Sequence, residues 1–163
     1  MGKLMYVRLS EINPEDFLPL LNKATTREHL IKHELFTVAK IEDWIKAKIA
    51  EDNKEGCKVR AIMLDHQLAG WCAIQSDDGA YEIAVVIEDC FWGLGKTVFA
   101  DVMNWAKALG HATVLIHLLK TRPEYKFLRK MASKVYESEV FGSEFLTYEL
   151  AVDEVSRRAN IPQ

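Results

Sequence analysis

Gly93 and Gly95 stand between a short apolar run, Ile83-Ala84-Val85-Val86-Ile87, and a stretch of helical periodicity. A strand, a glycine-containing loop and a helix start together can seat a phosphate group on backbone N–H groups. Lys96 follows at once and adds a positive charge. Trp92 lies in the loop itself, in a position to cover a ligand bound there. Glu88 and Asp89 come before the glycines, where negative charge is unfavourable to a phosphate, so they are read as solvated turn residues. A lone G-x-G is a weak signal and needs its surroundings to support it.

Other reactive side chains make a poorer case. His29 and His33 have i, i+4 spacing, but no H-E-x-x-H phrase or third ligand accompanies them, so no metal is expected. His117 lies within an apolar run and reads as a satisfied core residue. Cys57, Cys72 and Cys90 are an odd number without C-x-x-C spacing, which predicts reduced thiols in a cytoplasmic protein. Cys72 and Cys90 have no companion pattern of a nucleophile. Trp44, Trp71 and Trp105 fall on helix or strand faces and are expected in the core.

The elements that must position the glycine loop follow from periodicity. Residues 4–9 read as a strand, and Asn13-Pro14 then caps and opens a helix whose buried face carries Phe17, Leu18, Leu20 and Leu21. Residues 27–36 and 41–50 read as two more helical pieces. Residues 58–64 and 68–75 form a hairpin around Asp65-His66-Gln67, and Ser76-Asp77-Asp78-Gly79 turns the chain into the next strand. The helix after Gly95 places Val98, Val102, Trp105 and Leu109 on one face and stops at Gly110. Residues 112–119 are a further strand, a helix follows Pro123, and residues 134–140 and 144–152 close the chain as a hairpin. Hairpins demand antiparallel pairing and the strand–helix–strand unit demands a parallel crossover. A mixed sheet with helices on both faces meets both demands.

The chain has 163 residues, 49% of them hydrophobic and 28% charged, with a net charge of −3. That is the composition of one ordinary globular domain, assigned to residues 1–152, with residues 153–163 as a polar tail that frays. The acidic balance argues against nucleic acid. No run approaches the roughly 18 apolar residues of a membrane span.

Element order and motifs together resemble the GCN5-related N-acetyltransferase (GNAT) superfamily over nearly the whole chain. Leu68-Ala69-Gly70-Trp71 looks like the family's hairpin phrase entering the third strand, and Tyr81 to Val86 (YEIAVV) like its fourth strand. Gly93-Leu94-Gly95 looks like the end of its pyrophosphate loop, and Trp105-Ala106-Lys107 before Gly110 like the end of its third helix. The loop's usual Arg or Gln is absent: Cys90 or Trp92 stands there, according to register.

The resemblance implies an α/β domain with a mixed, mostly antiparallel sheet splayed between strands 4 and 5. It also implies an acetyl-CoA-dependent N-acetyltransferase acting by direct transfer to a primary amine, with acetyl-CoA as co-substrate. Cofactor contacts would then come from Val85, Val86, Ile87, Cys90, Phe91, Trp92, Gly93, Leu94, Gly95, Lys96, Thr97 and Thr121. Backbone N–H groups near residues 85–87 would face the developing oxyanion. Glu82 corresponds to a glutamate that serves some members as general base, its pKa raised by burial. The family's acid tyrosine aligns with Leu128, and Tyr125, one turn earlier, is the candidate substitute. The acceptor, a small-molecule or peptide amine, is expected between residues 25–34 and 140–145, and a homodimer is left open. Two other readings stand beside this one: a CoA-binding or interaction module that has lost turnover, and a structural α/β domain without a CoA site.

Overall fold

The computed structural model describes residues 2–22, 36–88, 93–120, 126–140 and 142–159. Its strands are β1 (Leu4–Val7), β2 (Lys58–Leu64), β3 (Gln67–Asp77), β4 (Ala80–Ile87), β5 (Thr113–Leu119), β6 (Lys134–Val140) and β7 (Ser143–Ala151). The helices are α1 (Pro14–Asn22), α2 (Val38–Asp52), α3 (Gly95–Ala108), α4 (Lys126–Met131) and α5 (Val152–Ala159). The strands form one sheet in the order β1-β2-β3-β4-β5-β7-β6. Every pairing is antiparallel except β4 with β5, so the mixed sheet expected from the sequence is present.

Two-residue turns set the registers of the first hairpins. Asp65 and His66 both have positive φ, 50° and 68°, as do Asp78 and Gly79, 46° and 83°. That pair of left-handed residues makes a type I′ turn, whose twist matches the strands it joins. Gln67, expected in the first turn, therefore begins β3 instead.

Strand alternation sends the apolar residues to two cores. On one face α3, α4 and α5 bury Val98, Val102, Met103, Leu128 and Val155 against Ile62, Cys72, Ile74, Ile83, Val114 and Leu150. On the other, α1 and α2 bury Phe17, Leu20, Leu21, Ile41 and Ile45 against Val59, Trp71, Ala73 and Val86. Helix α3 turns Phe99, Met103 and Ala106 inward along with Val98 and Val102, whereas Leu109 is 41% exposed. The expected face is thus rotated by part of a turn. Gly110, with φ of 87°, follows the helix as expected.

The largest departure lies after β7. Residues expected to fray as a polar tail form α5, because Val152 and Val155 share one helical face and are fully buried among the residues around α3. Two valines three apart are enough to dock a helix whose other positions are charged or small. Expectations on residues 27–35, including His29 and His33, lie outside the described residues.

Candidate active site

The seam between β4 and β5 is where the sheet gives way. Only Glu82 and Leu115 are in register across it. On its other edge β4 pairs with β3 without interruption from Gly70↔Ile87 to Asp77↔Ala80. In an antiparallel ladder the backbone groups of alternate residues face the same neighbour. Glu88 N–H donates to Ala69 O at 2.8 Å. By that alternation the N–H groups of Val86, Ala84 and Glu82 face β3, and that of Val85 faces the opening. Of residues 85–87, whose N–H groups were expected to meet a thioester oxygen, Val85 and Ile87 face the opening and Val86 points into the ladder. The side chain of Val86 is in the α1/α2 core, and those of Val85 and Ile87 pack on the α3 side.

Gly70 holds β3 tight against this part of β4. A Cβ there would fall 2.0 Å from Val86 O and 2.9 Å from Ile87 Cα, distances that only glycine avoids.

Beyond the opening, Gly93 and Leu94 make a single 3₁₀ turn into α3. Leu94 at the N-cap supplies no side-chain hydrogen bond, and the first turn contains no acid. The amides at this helix start thus have no Leu94 side-chain acceptor and no carboxylate in the first turn competing with an anion. A Cβ built on Gly93 or Gly95 would meet nothing within 4 Å, so the space over both is open. Lys96 and Thr97 are exposed in the same turn, with Lys96 Nζ 5.9 Å from the Phe127 ring centroid of α4. An anionic group fits here.

Glu82 occupies the position of β4 that is in register with β5, on the α1/α2 face. Its carboxylate accepts from Gln75 Nε2 at 3.3 Å and lies 3.7 Å from His117 Nε2. The same His117 nitrogen is 2.9 Å from Asp77 Oδ2. His117 Nδ1 is 2.8 Å from Thr147 Oγ1, which is 2.7 Å from Ser138 Oγ. On the other side Lys48 Nζ of α2 donates to Gln75 Oε1 and lies 4.8 Å from the Trp71 ring centroid. A polar line thus crosses the sheet from α2 through β3, β4, β5 and β7 to β6, on the face opposite α3.

Burial shapes the charges along this line. It raises the pKa of Glu82; the His117 charge opposes that, Asp77 adds to it, Lys48 opposes it and Glu51 adds to it. Burial likewise lowers the pKa of Lys48, against the attraction of Glu82 and Glu51. Glu51 goes the other way. Burial would raise it, but bonds from Lys54 and from the N–H and hydroxyl of Ser76 together bring it down to about 2.

Among the residues expected from the sequence, the structure places Glu82, Val85, Val86 and Ile87 along the opening and Gly93, Leu94, Gly95, Lys96 and Thr97 at the helix start. Cys90, Phe91, Trp92, Thr121 and Tyr125 lie outside the described residues, as do residues 25–34 of the expected acceptor region. Leu128, where the resemblance would put a tyrosine, is 2% exposed in the α3-side core. His117, read from the sequence as a satisfied core residue, is satisfied at both ring nitrogens, and its partners are the hydroxyl of Thr147 and the carboxylate of Asp77. Asp77, Thr147, Lys48 and Gln75 were not singled out from the sequence. The signal available was alternation, which puts His117 on the face of β5 opposite Val114 and Ile116.

No protein-family model matches the chain, and no curated protein matches it. Solved structures do. The spermidine N-acetyltransferase of Vibrio cholerae, in complex with CoA and spermine, superposes with a TM-score of 0.71 at 11% identity, over 94% of this chain and 96% of that one. The acetyltransferase of Salmonella typhimurium that modifies the N-terminal serine of ribosomal protein L7/L12 gives 0.70 at 14% identity, over 92% and 94%. A GNAT-family acetyltransferase of Streptococcus pneumoniae gives 0.66 at 15%, over 93% and 99%. The chain has the GNAT fold, as its motifs led one to expect.

Proposed function

We propose that the protein is a GNAT-superfamily N-acetyltransferase that moves an acetyl group from acetyl-CoA to a primary amine. The observation that carries this reading is the opening of the sheet beyond the Glu82–Leu115 pair, with a Val85 N–H on one side and a half-buried carboxylate at its apex. Acetyl-CoA supplies an activated acyl group. The amides of Gly95, Lys96 and Thr97 at the start of α3 hold its pyrophosphate, and the exposed edge of β4 pairs with its extended arm. Val85 N–H polarises the thioester oxygen. Glu82, with its pKa raised by burial, takes the proton from the acceptor nitrogen. Tyr125 stands as the proposed acid for the departing thiolate, and Cys90, Phe91, Trp92 and Thr121 as further cofactor contacts. Structures that share the fold act on amines of different size, a polyamine and a protein N-terminus. This supports an amine acceptor and leaves its size open.

A second reading, a CoA-binding module without turnover, draws on buried Leu128 at the family's tyrosine position. One set of measurements separates the two. Acetyl-CoA at about 100 times its Kd should stabilise the protein by about 2.7 kcal/mol. No shift at millimolar acetyl-CoA rejects both readings. Release of free CoA in the presence of an amine panel, reduced by about 10²–10⁴-fold in Glu82→Gln, supports the enzyme. Binding without CoA release from any amine supports the module.

A further inference from the structure

His117 has both ring nitrogens engaged, and each engagement fixes something different. Thr147 is fully buried and its hydroxyl lies between Ser138 Oγ at 2.7 Å and His117 Nδ1 at 2.8 Å. With Ser138 accepting from the threonine hydroxyl, Thr147 Oγ1 accepts from Nδ1–H. The ring is then held in one orientation by bonds running back through β7 to β6. Nε2 is aimed at two carboxylates, Asp77 at 2.9 Å and Glu82 at 3.7 Å, and the three atoms lie within 4.8 Å of one another.

Two carboxylates at that separation repel, and a protonated ring between them attracts both. The charged groups that face Glu82 are Lys48 and Glu51 from α2, Asp77 from β3 and His117 from β5. Lys48 and His117 favour the ionised carboxylate, whereas Asp77 and Glu51 disfavour it. Burial adds to the second group.

We propose that His117 is the positioning residue for Glu82: pinned by Thr147, its ring stands between Asp77 and Glu82, and its attraction favours the proton-accepting form of Glu82. This rests on the reading of Glu82 as the base. In the transfer the acceptor C–N bond forms, the thioester C–S bond breaks, and the proton leaving nitrogen goes to Glu82. His117 exchanges no proton in that step and acts through its charge and its fixed place.

The sign of the test follows from the arrangement. His117→Gln removes an attraction, so Glu82 ionises at higher pH and the acidic limb of kcat/KM moves up by about one unit or more. His117→Gln/Asp77→Asn removes attraction and repulsion together and returns the limb toward the wild-type position. Thr147→Val keeps the charges but frees the ring, moving the limb the same way by a smaller amount; it serves where His117→Gln does not fold. The same titration is read directly from the ¹³C shift of the Glu82 side-chain carboxyl in each protein, without any acceptor. An unmoved Glu82 titration in His117→Gln or Thr147→Val, or no return in the double variant, overturns the proposal. A titration that moves as expected in a protein without turnover upholds the pairing and rejects the acyltransferase reading instead.

Discussion

Strand β4 is zipped along one edge and open along the other. Toward β3 it makes eight register pairs, and toward β5 it makes one. Alternate residues of one strand serve the two edges, so the difference is one of direction and not of composition. Backbone donors consumed by β3 hold the strand in place; donors withheld from β5 are what a ligand can reach. The two faces of the strand divide in a similar way. Ile83, Val85 and Ile87 pack on the α3 side, while Glu82 lies among Gln75, Asp77 and His117 on the other.

That comparison can be broken most sharply with proline, which deletes one backbone donor. Val85→Pro removes the N–H facing the opening and leaves the β3 ladder intact. Turnover should fall by about 10²–10³-fold with the folded state preserved. Val86→Pro removes the donor that faces Trp71 and should lower stability by about 1–3 kcal/mol, seen as an earlier melt. Equal loss of stability in the two variants would mean that the two edges are not distinct. Next comes the division between faces. Ile83→Ala, at a side chain 2% exposed, should cost about 2–5 kcal/mol in denaturant unfolding and leave the acidic limb of the pH profile in place. The smallest effect is expected at the helix start. Gly93→Asp should raise the stability of the unliganded protein by about 0.3–1 kcal/mol through the helix dipole. It should also reduce the melting shift produced by acetyl-CoA. A gain in both would place the pyrophosphate elsewhere.

Much of the frame is legible in the sequence because it is local. Lys58–Leu64 and Lys134–Val140 begin and end where alternation and turn residues say, since a hairpin's partner lies within a few residues. The places of Gly93 and Gly95 at a helix start follow from the local pattern, and that of Glu82 in the fourth strand from the resemblance. The opening is not. It depends on register between β4 and β5, which are joined by a helix and meet at a single pair. His117 was hidden for a related reason: a histidine in an apolar run shows its period, but not that Thr147 and Asp77 arrive beside it from two other strands. In α5, composition masked a short pattern, because among the described side chains Val152 and Val155 carry the buried face.

That last helix has a consequence for how the chain comes to be folded. Val152 and Val155 complete a core whose other members begin at Ile62, so most of that surface is synthesised before its cover. Until they arrive, Met103, Val114 and Leu150 would be incompletely sheltered, and contacts so distant in sequence form late and slowly. The nascent chain therefore passes through a stage in which the part of this core that α5 covers is exposed, the kind of surface that chaperones hold and that aggregation exploits.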